Sequence, residues 1–373
     1  MTAGGAEVSG YRPSSTGSRW GEGTELIVEI AQRAAQQAGV FLTARDVERL
    51  LAALQVTTNI WELAQRSTVP LLGICSVLRE LIDRNYVEVQ GERLRLTEMG
   101  EQLCRRAGIV PVRSVRCPSC HGRGVDIGVL GEVRDEFLKI SADRPSAIRD
   151  YDQAYLVEEA SLARVAFLLG KGDLEERDVL IIGDDDLISL AAGLTRAPRR
   201  ILVLEVDERI VGFIRRVADR YGLPVEARVY NVCDPLPEEL CHEFDTFVCD
   251  PSESFGGLTA FLTRCLLGLR GAGAAGVFGL SRHEASLRKW RDVQRWLLER
   301  EAVVTDIVAE FGQYHNWPYY REMRAWPLLP VHPVPERPWY QSCLYRVELL
   351  DRPHLENVPF SAEIFMDEEA ATF

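Results

Sequence analysis

The sequence predicts an α/β protein, a Rossmann-like domain preceded by a small winged-helix-like α+β domain. Three observations carry this reading. Between residues 178 and 280, short apolar runs alternate with amphipathic stretches, the mark of βαβ units around a mostly parallel sheet. The first run, DVLIIG at 178–183, ends in glycine and opens onto a small-residue helix, as nucleotide-binding units do. Upstream, residues 24–110 read helix, helix, helix, hairpin, the order of a winged helix-turn-helix.

A chain of 373 residues is long enough for two domains and a linker. Its 46% hydrophobic and 27% charged residues are those of a soluble globular protein. No apolar run reaches the roughly 18 residues of a membrane span. Residues 1–23 are rich in Gly and Ser and lack the apolar core of a signal peptide, so they read as a flexible tail. The cysteines are scattered, and only Cys117 and Cys120 stand close, which suits a reducing cytoplasm rather than a disulfide framework. A net charge of −13 argues against nucleic acid as a partner and suits a cationic small molecule.

The first domain is expected over 24–112. ELIVEIAQRAAQQAG is amphipathic and stops at Gly39; TARDVERLLAALQ starts at an N-cap, Thr43, and repeats Val47, Leu50, Leu51 and Leu54 on one face. NIWELAQRST and VPLLGICSVLRELIDR follow, and YVEVQGERLRLT alternates about a turn at Gln90–Gly91. Such a unit often binds DNA. Here nine arginines between 41 and 110 meet nine acids, and Arg79 and Arg84 of the would-be recognition helix sit among Glu80 and Asp83. A neutral helix makes poor phosphate contacts, so packing or dimerisation is expected instead, with a homodimer formed through this domain. Residues 113–150 read as a linker carrying RCPSCHGRG, where Cys117 and Cys120 form half a zinc site. With no second pair at a suitable spacing, a tight turn with two reduced thiols is favoured over a metal completed by His121 or a second subunit.

The second domain is expected over 151–350, followed by an acidic tail over 351–373 that is either a lid or a frayed terminus. Its strands are placed at 178–183, 200–206, 225–231, 246–250, 274–280 and 343–350. Ligands of such sheets bind beyond the carboxyl ends of the strands. There the chain places Gly183 with Asp184, Asp185 and Asp186, then Glu205 and Asp207, then Asn231, then Asp250. Glu205 is 22 residues past Gly183, the position of the acid that grips a ribose diol. This order of strand-end acids fits a Rossmann-like domain of the class I methyltransferase/aminopropyltransferase type, binding an adenosyl sulfonium compound. Three aspartates repel a pyrophosphate, which removes NAD and ATP. They also repel the α-carboxylate of S-adenosylmethionine. Once decarboxylated, that donor ends in an ammonium, for which a carboxylate cluster is an asset. Decarboxylated S-adenosylmethionine is therefore the expected co-substrate, methylthioadenosine the expected product, and no prosthetic group is expected.

On these residues the chain resembles the branched-chain polyamine synthases. The resemblance rests on GDDD at 183–186, YDQ at 151–153, LEVDERIV at 204–211, YNVCDPLPEEL at 230–240 and DP at 250–251, and it spans roughly 40–350. It departs from the family at DPSES, where residues 252–254 replace the usual continuation. The resemblance implies aminopropyl transfer to the secondary amine of spermidine, once and then again, with GDDD supplying the catalytic acid. On that basis Asp186 and Asp185 are assigned to the donor ammonium and the attacking amine, in either order, and Asp184 to a cap or support behind them. Gly183, Asp184, Glu205 and Asp207 are assigned to the donor, with Glu205 on the ribose and Asn231 and Asp234 at adenine. Asp152, Gln153, Asp250 and Glu284 are assigned to the acceptor. GQYHNWPYY at 312–320 is read as an aromatic wall or as packing. Two other readings stay open: a methyltransferase using intact S-adenosylmethionine, on RNA, and a transcription regulator that senses a metabolite.

Overall fold

A computed structural model describes residues 23–372; the expected tail, Gly23 apart, lies outside them. The first domain comprises α1 (Thr24–Ala38), α2 (Ala44–Leu54), α3 (Ile60–Ser67), α4 (Leu71–Asp83), the hairpin β1 (Val87–Gln90) and β2 (Arg93–Leu96), and α5 (Glu98–Arg106). Local chemistry sets its boundaries. Gly39 ends α1 in the left-handed region at φ 69°, which a glycine adopts without a Cβ clash. The Asp46 carboxylate receives both the N–H and the hydroxyl of Thr43, fixing the start of α2. The Asn59 carboxamide oxygen accepts from the N–H groups of Trp61 and Glu62 at the head of α3. Gln90 pairs with Arg93, so the hairpin turn is Gly91–Glu92, one residue later than expected.

The helix that a winged helix would offer to DNA lies inside the protein. Leu71 to Leu78 of α4 are all buried, and the Leu71 N–H donates to the His283 carbonyl at 2.7 Å. The N-terminal helices share one hydrophobic core with the segment 314–340 of the second domain. At its centre the ring of Trp61 packs against those of Trp339 and Trp326, and its Nε1 donates to the Pro333 carbonyl at 2.8 Å. A packing role, rather than a DNA-binding one, is what this burial supports.

The stretch 113–150 is not all linker. It contains α6 (Glu132–Ser141), whose Phe137 and Ile140 are buried against the next helix, α7 (Glu158–Lys171). Phe137 and Ile140 thus share a core with the α/β unit expected over 151–350. The turn bearing Cys117 and Cys120 is held to the domain by the Arg123 guanidinium, which donates to the Phe311 carbonyl at 2.9 Å. Cys117 is exposed, and among the described residues no group of three or more His, Cys, Asp or Glu is placed to hold a metal.

After α7 come β3 (Asp178–Ile182), α8 (Ile188–Leu194), β4 (Arg200–Glu205), α9 (Glu208–Tyr221), β5 (Val225–Val229), β6 (Thr246–Cys249), α10 (Phe255–Gly268), β7 (Ala275–Ser281), α11 (Leu287–Leu298), β8 (Ala302–Gln313) and β9 (Gln341–Leu349). The sheet order is β5-β4-β3-β6-β7-β9-β8, parallel through β7, with β9 antiparallel to both its neighbours. The pleat divides the core. Val179 and Ile181 of β3 point to α7, α8 and α9, while Leu180 and Ile182 point to α10 and α11. Strand β8 was not expected. It is an edge strand whose exposed positions, Ile307 among them, break the apolar alternation that marks a strand.

The acidic tail is neither frayed nor free. Phe360 N–H donates to the Cys233 carbonyl, Asp367 pairs with Lys289 at 2.8 Å, and Ala370 and Ala371 are buried. No helix of the described residues is long and apolar enough to cross a membrane. Because α6 belongs to the core, Phe137→Ala should destabilise the protein by about 3–5 kcal/mol. Denaturant unfolding monitored by circular dichroism measures this, and a change within about 0.5 kcal/mol would return α6 to a linker.

Candidate active site

Strands β3, β4 and β6 run in parallel, so their carboxyl ends share one rim, and a cavity of about 460 Å³ opens there. The segment after β8 and the C-terminal tail complete its walls through Tyr314, Trp317, Tyr319, Tyr340, Phe365 and Thr372. Six carboxylates line it: Asp150, Asp152, Asp185, Glu205, Asp250 and Glu253. No lysine, arginine or histidine stands among the lining residues.

The three aspartates of GDDD separate by direction. Gly183 leaves β3 at φ 73°, a left-handed conformation natural to glycine, and its N–H donates to the Leu204 carbonyl. Asp184 turns inward. Its carboxylate accepts the Ser189 N–H at the head of α8, and burial pushes its carboxyl up to about 8. Asp185 faces the cavity. The Arg144 guanidinium meets only its carbonyl, at 3.0 Å, and burial, then the charges of Asp186 and Glu205, hold its carboxyl well above the usual carboxylate range. Asp186 turns toward α7. One oxygen accepts the Leu156 N–H at 2.6 Å, the other lies 3.8 Å from Arg164, and burial followed by Asp250 raises its carboxyl to about 7. Of the two aspartates assigned to the reacting amines, then, only Asp185 lines the cavity. The sequence does not separate them, because three identical residues in a turn carry no directional signal.

Glu205 lines the cavity with both oxygens already fixed, one by the Asp184 N–H at 2.8 Å and one by the Asp207 N–H at 2.9 Å. Its carboxylate thereby joins the loops after β3 and β4. Asp207 does not reach the cavity. It caps α9 through the Arg209 N–H and receives the Gln153 side-chain amide at 3.0 Å, so it supports Gln153 from behind. Asn231 lines the cavity, whereas Asp234 is exposed and is held through its backbone, its N–H donating to the Asn231 carbonyl and its carbonyl accepting the Tyr230 hydroxyl. Asp152 and Gln153 both line it, Asp152 at a left-handed φ of 50° with a carboxyl raised to about 8 by burial and then by Glu284. Asp250 accepts the Tyr314 hydroxyl at 2.7 Å and the Arg164 guanidinium at 3.2 Å. A Cβ on Gly279 would lie 2.0 Å from its Oδ1, so the glycine leaves the carboxylate its place.

Glu284 is not on the cavity surface. It is buried and accepts from the Ala371 N–H, the Thr372 hydroxyl and the Tyr340 hydroxyl, which makes it the anchor of the tail. The residue that faces the cavity in its stead is Glu253, which accepts the Tyr340 hydroxyl at 2.8 Å. Glu253 belongs to the DPSES departure; as one more acid past a strand end, it was findable by the rule that found Asp250.

The model of the branched-chain polyamine synthase A C-terminal domain matches residues 132–372. An N(4)-bis(aminopropyl)spermidine synthase of Thermus thermophilus is 45% identical over 93% of this chain and 98% of its own. One from Thermococcus kodakarensis is 38% identical over 92% and 99%. The crystal structure of the branched-chain polyamine synthase from Thermus thermophilus, in complex with N4-aminopropylspermidine and 5'-methylthioadenosine, superposes with a TM-score of 0.89 at 44% identity, covering 94% of this chain and 99% of that one.

The raised carboxyls give the site a pH signature. Asp152, Asp184 and Asp186 hold protons in the folded state up to about 8, 8 and 7, whereas unfolded aspartates lose them near 4. Between these values the folded state binds more protons, so their contribution to stability is present at acid pH and is lost as pH rises through the folded values. Bound polyamine should offset that loss. Differential scanning fluorimetry should show spermidine raising Tm more at pH 8 than at pH 5; an equal or reversed effect would contradict the charge state assigned to the cavity.

Proposed function

The chain belongs to the branched-chain polyamine synthase family, and from that premise we infer an aminopropyltransferase that adds aminopropyl groups from decarboxylated S-adenosylmethionine to the secondary amine of spermidine. The observation that carries this reading is a cavity lined by six carboxylates and no basic side chain. A donor with a sulfonium and an ammonium, together with a polycationic acceptor, supplies the charge such a cavity lacks. In this reading Glu205, rigid between two backbone N–H groups, takes the ribose diol, and Asn231 stands at adenine. Asp152, Asp250 and Glu253 receive the ammonium ends, and the Tyr and Trp rings of the wall hold the polyamine stem through cation–π and apolar contact.

The transfer is an in-line displacement. The amine lone pair forms a bond to the donor methylene as the C–S bond breaks, and its electron pair leaves with sulfur as neutral methylthioadenosine. The attacking nitrogen must first be free of its proton. In this reading Asp185, which lines the cavity and whose carboxyl is held well above the usual range, accepts that proton and orients the amine. The first transfer leaves a tertiary ammonium, and once its N–H proton is passed on to solvent the tertiary amine can attack a second donor in turn. The second transfer ends at a quaternary ammonium with no N–H left, and the anionic cavity is suited to hold it. Methyl transfer to RNA draws no support from a buried α4 and an anionic wall.

Incubation with decarboxylated donor and a panel of polyamines, read by mass spectrometry, should show one and two aminopropyl increments on spermidine, each matched by one methylthioadenosine. A methyl increment from the intact donor, or no product, would refute the reading. Asp185→Asn should lower kcat by roughly 10²–10⁴-fold while Tm is maintained, and near-normal turnover would remove Asp185 from the base role.

A further inference from the structure

An arginine stands in the apolar helix segment SLARVAFLL of α7, and its environment is unusual. Arg164 is 1% exposed, yet arginine is almost never fully buried unless paired. Its partners come from two strand ends. Nη2 lies 3.2 Å from Asp250 Oδ2, beyond β6, and Nη1 lies 3.8 Å from Asp186 Oδ2, beyond β3. A third strand end joins through Tyr314, just past β8, whose hydroxyl donates to the same Asp250 oxygen and lies 2.9 Å from Ser342 Oγ on β9.

We propose that Arg164 is a positioning residue of the transfer reaction, a buried guanidinium that orients Asp250 toward the acceptor and balances the two carboxylates behind Asp185. The inference rests on the aminopropyl-transfer reading and on Asp185 as the base. Two acids share one positive charge on the α7 side, so the reacting carboxylate keeps its open face and meets no basic side chain in the cavity. The groups facing this cluster are Asp184, Asp185, Asp186, Glu205, Asp250 and Tyr314, with Arg164 and Arg144 as the cations. Removing Arg164 leaves the acids with one less positive charge, and the cluster then holds its protons to higher pH. Lysine is no substitute, because a point charge does not fork between two carboxylates.

The test is the pH profile of kcat and kcat/KM for aminopropyl transfer to spermidine. Arg164→Gln should move the acid limb of both upward by about one pH unit, with roughly tenfold less activity below the limb. The charge-balanced double variant Arg164→Gln/Asp186→Asn should return the limb to its wild-type position while kcat stays at least fivefold below wild type. Arg164→Lys should keep the limb and lower kcat about tenfold. A merely structural role lowers activity without moving the limb. A folded Arg164→Gln with a wild-type limb, a double variant whose limb stays displaced, or an Arg164→Lys with wild-type kcat would each overturn the proposal. If Arg164→Gln does not fold, the double variant and the lysine variant decide. A wild-type enzyme that transfers no aminopropyl group would instead refute the activity beneath it.

Discussion

The structure depends on one electrostatic constraint: carboxylates kept in a partly enclosed cavity with no basic side chain of the same chain at its surface. At an effective dielectric of about 20, unit charges 4 Å apart interact by about 4 kcal/mol. A donor whose tail changes from carboxylate to none exchanges repulsion of that order for none, while its ammonium keeps the attraction. The cavity thus selects by sign more than by shape, and the acceptor is drawn by the same field.

Holding such a cavity together without arginine at its surface is a folding problem, and the chain solves it with backbone N–H groups and phenols. Glu205 is fixed by two N–H donors, Asp186 by the Leu156 N–H, and Glu253 and Asp250 by the hydroxyls of Tyr340 and Tyr314. These donors orient a carboxylate without adding a charge to the cavity surface, and the Arg164 guanidinium stands behind Asp250 and Asp186 on the α7 side. The tyrosines lie in a wall that shares its core with the N-terminal helices around Trp61. The winged-helix-like unit is therefore a structural backing for the site, which accounts for its neutral charge and its buried α4.

Much of this was legible in the residues. The strands β3 to β7 announce themselves as β-rich apolar runs, and Gly183, Asp185, Glu205, Asn231 and Asp250 stand where a parallel sheet presents its ligand. What the residues did not disclose is direction. Asp186, Asp207, Asp234 and Glu284 carry the same chemistry at plausible positions, yet each is turned to a backbone amide, a cap or solvent. Nor did the residues reveal long-range return: α6 folded onto α7, β8 at the far edge and a tail packed over the cavity each depend on contacts too distant in sequence to leave a local period. Arg164 was hidden for a related reason, since a single charge in an apolar helix reads as an exposed position until its burial is known.

The most direct test of the sign argument is calorimetry with the two donors, S-adenosylmethionine intact and decarboxylated, at the same pH and ionic strength. The account predicts that the decarboxylated donor binds at least tenfold more tightly and that Asp185→Asn narrows the gap. Tighter binding of the intact donor, or a gap that Asp185→Asn leaves unchanged, would contradict it.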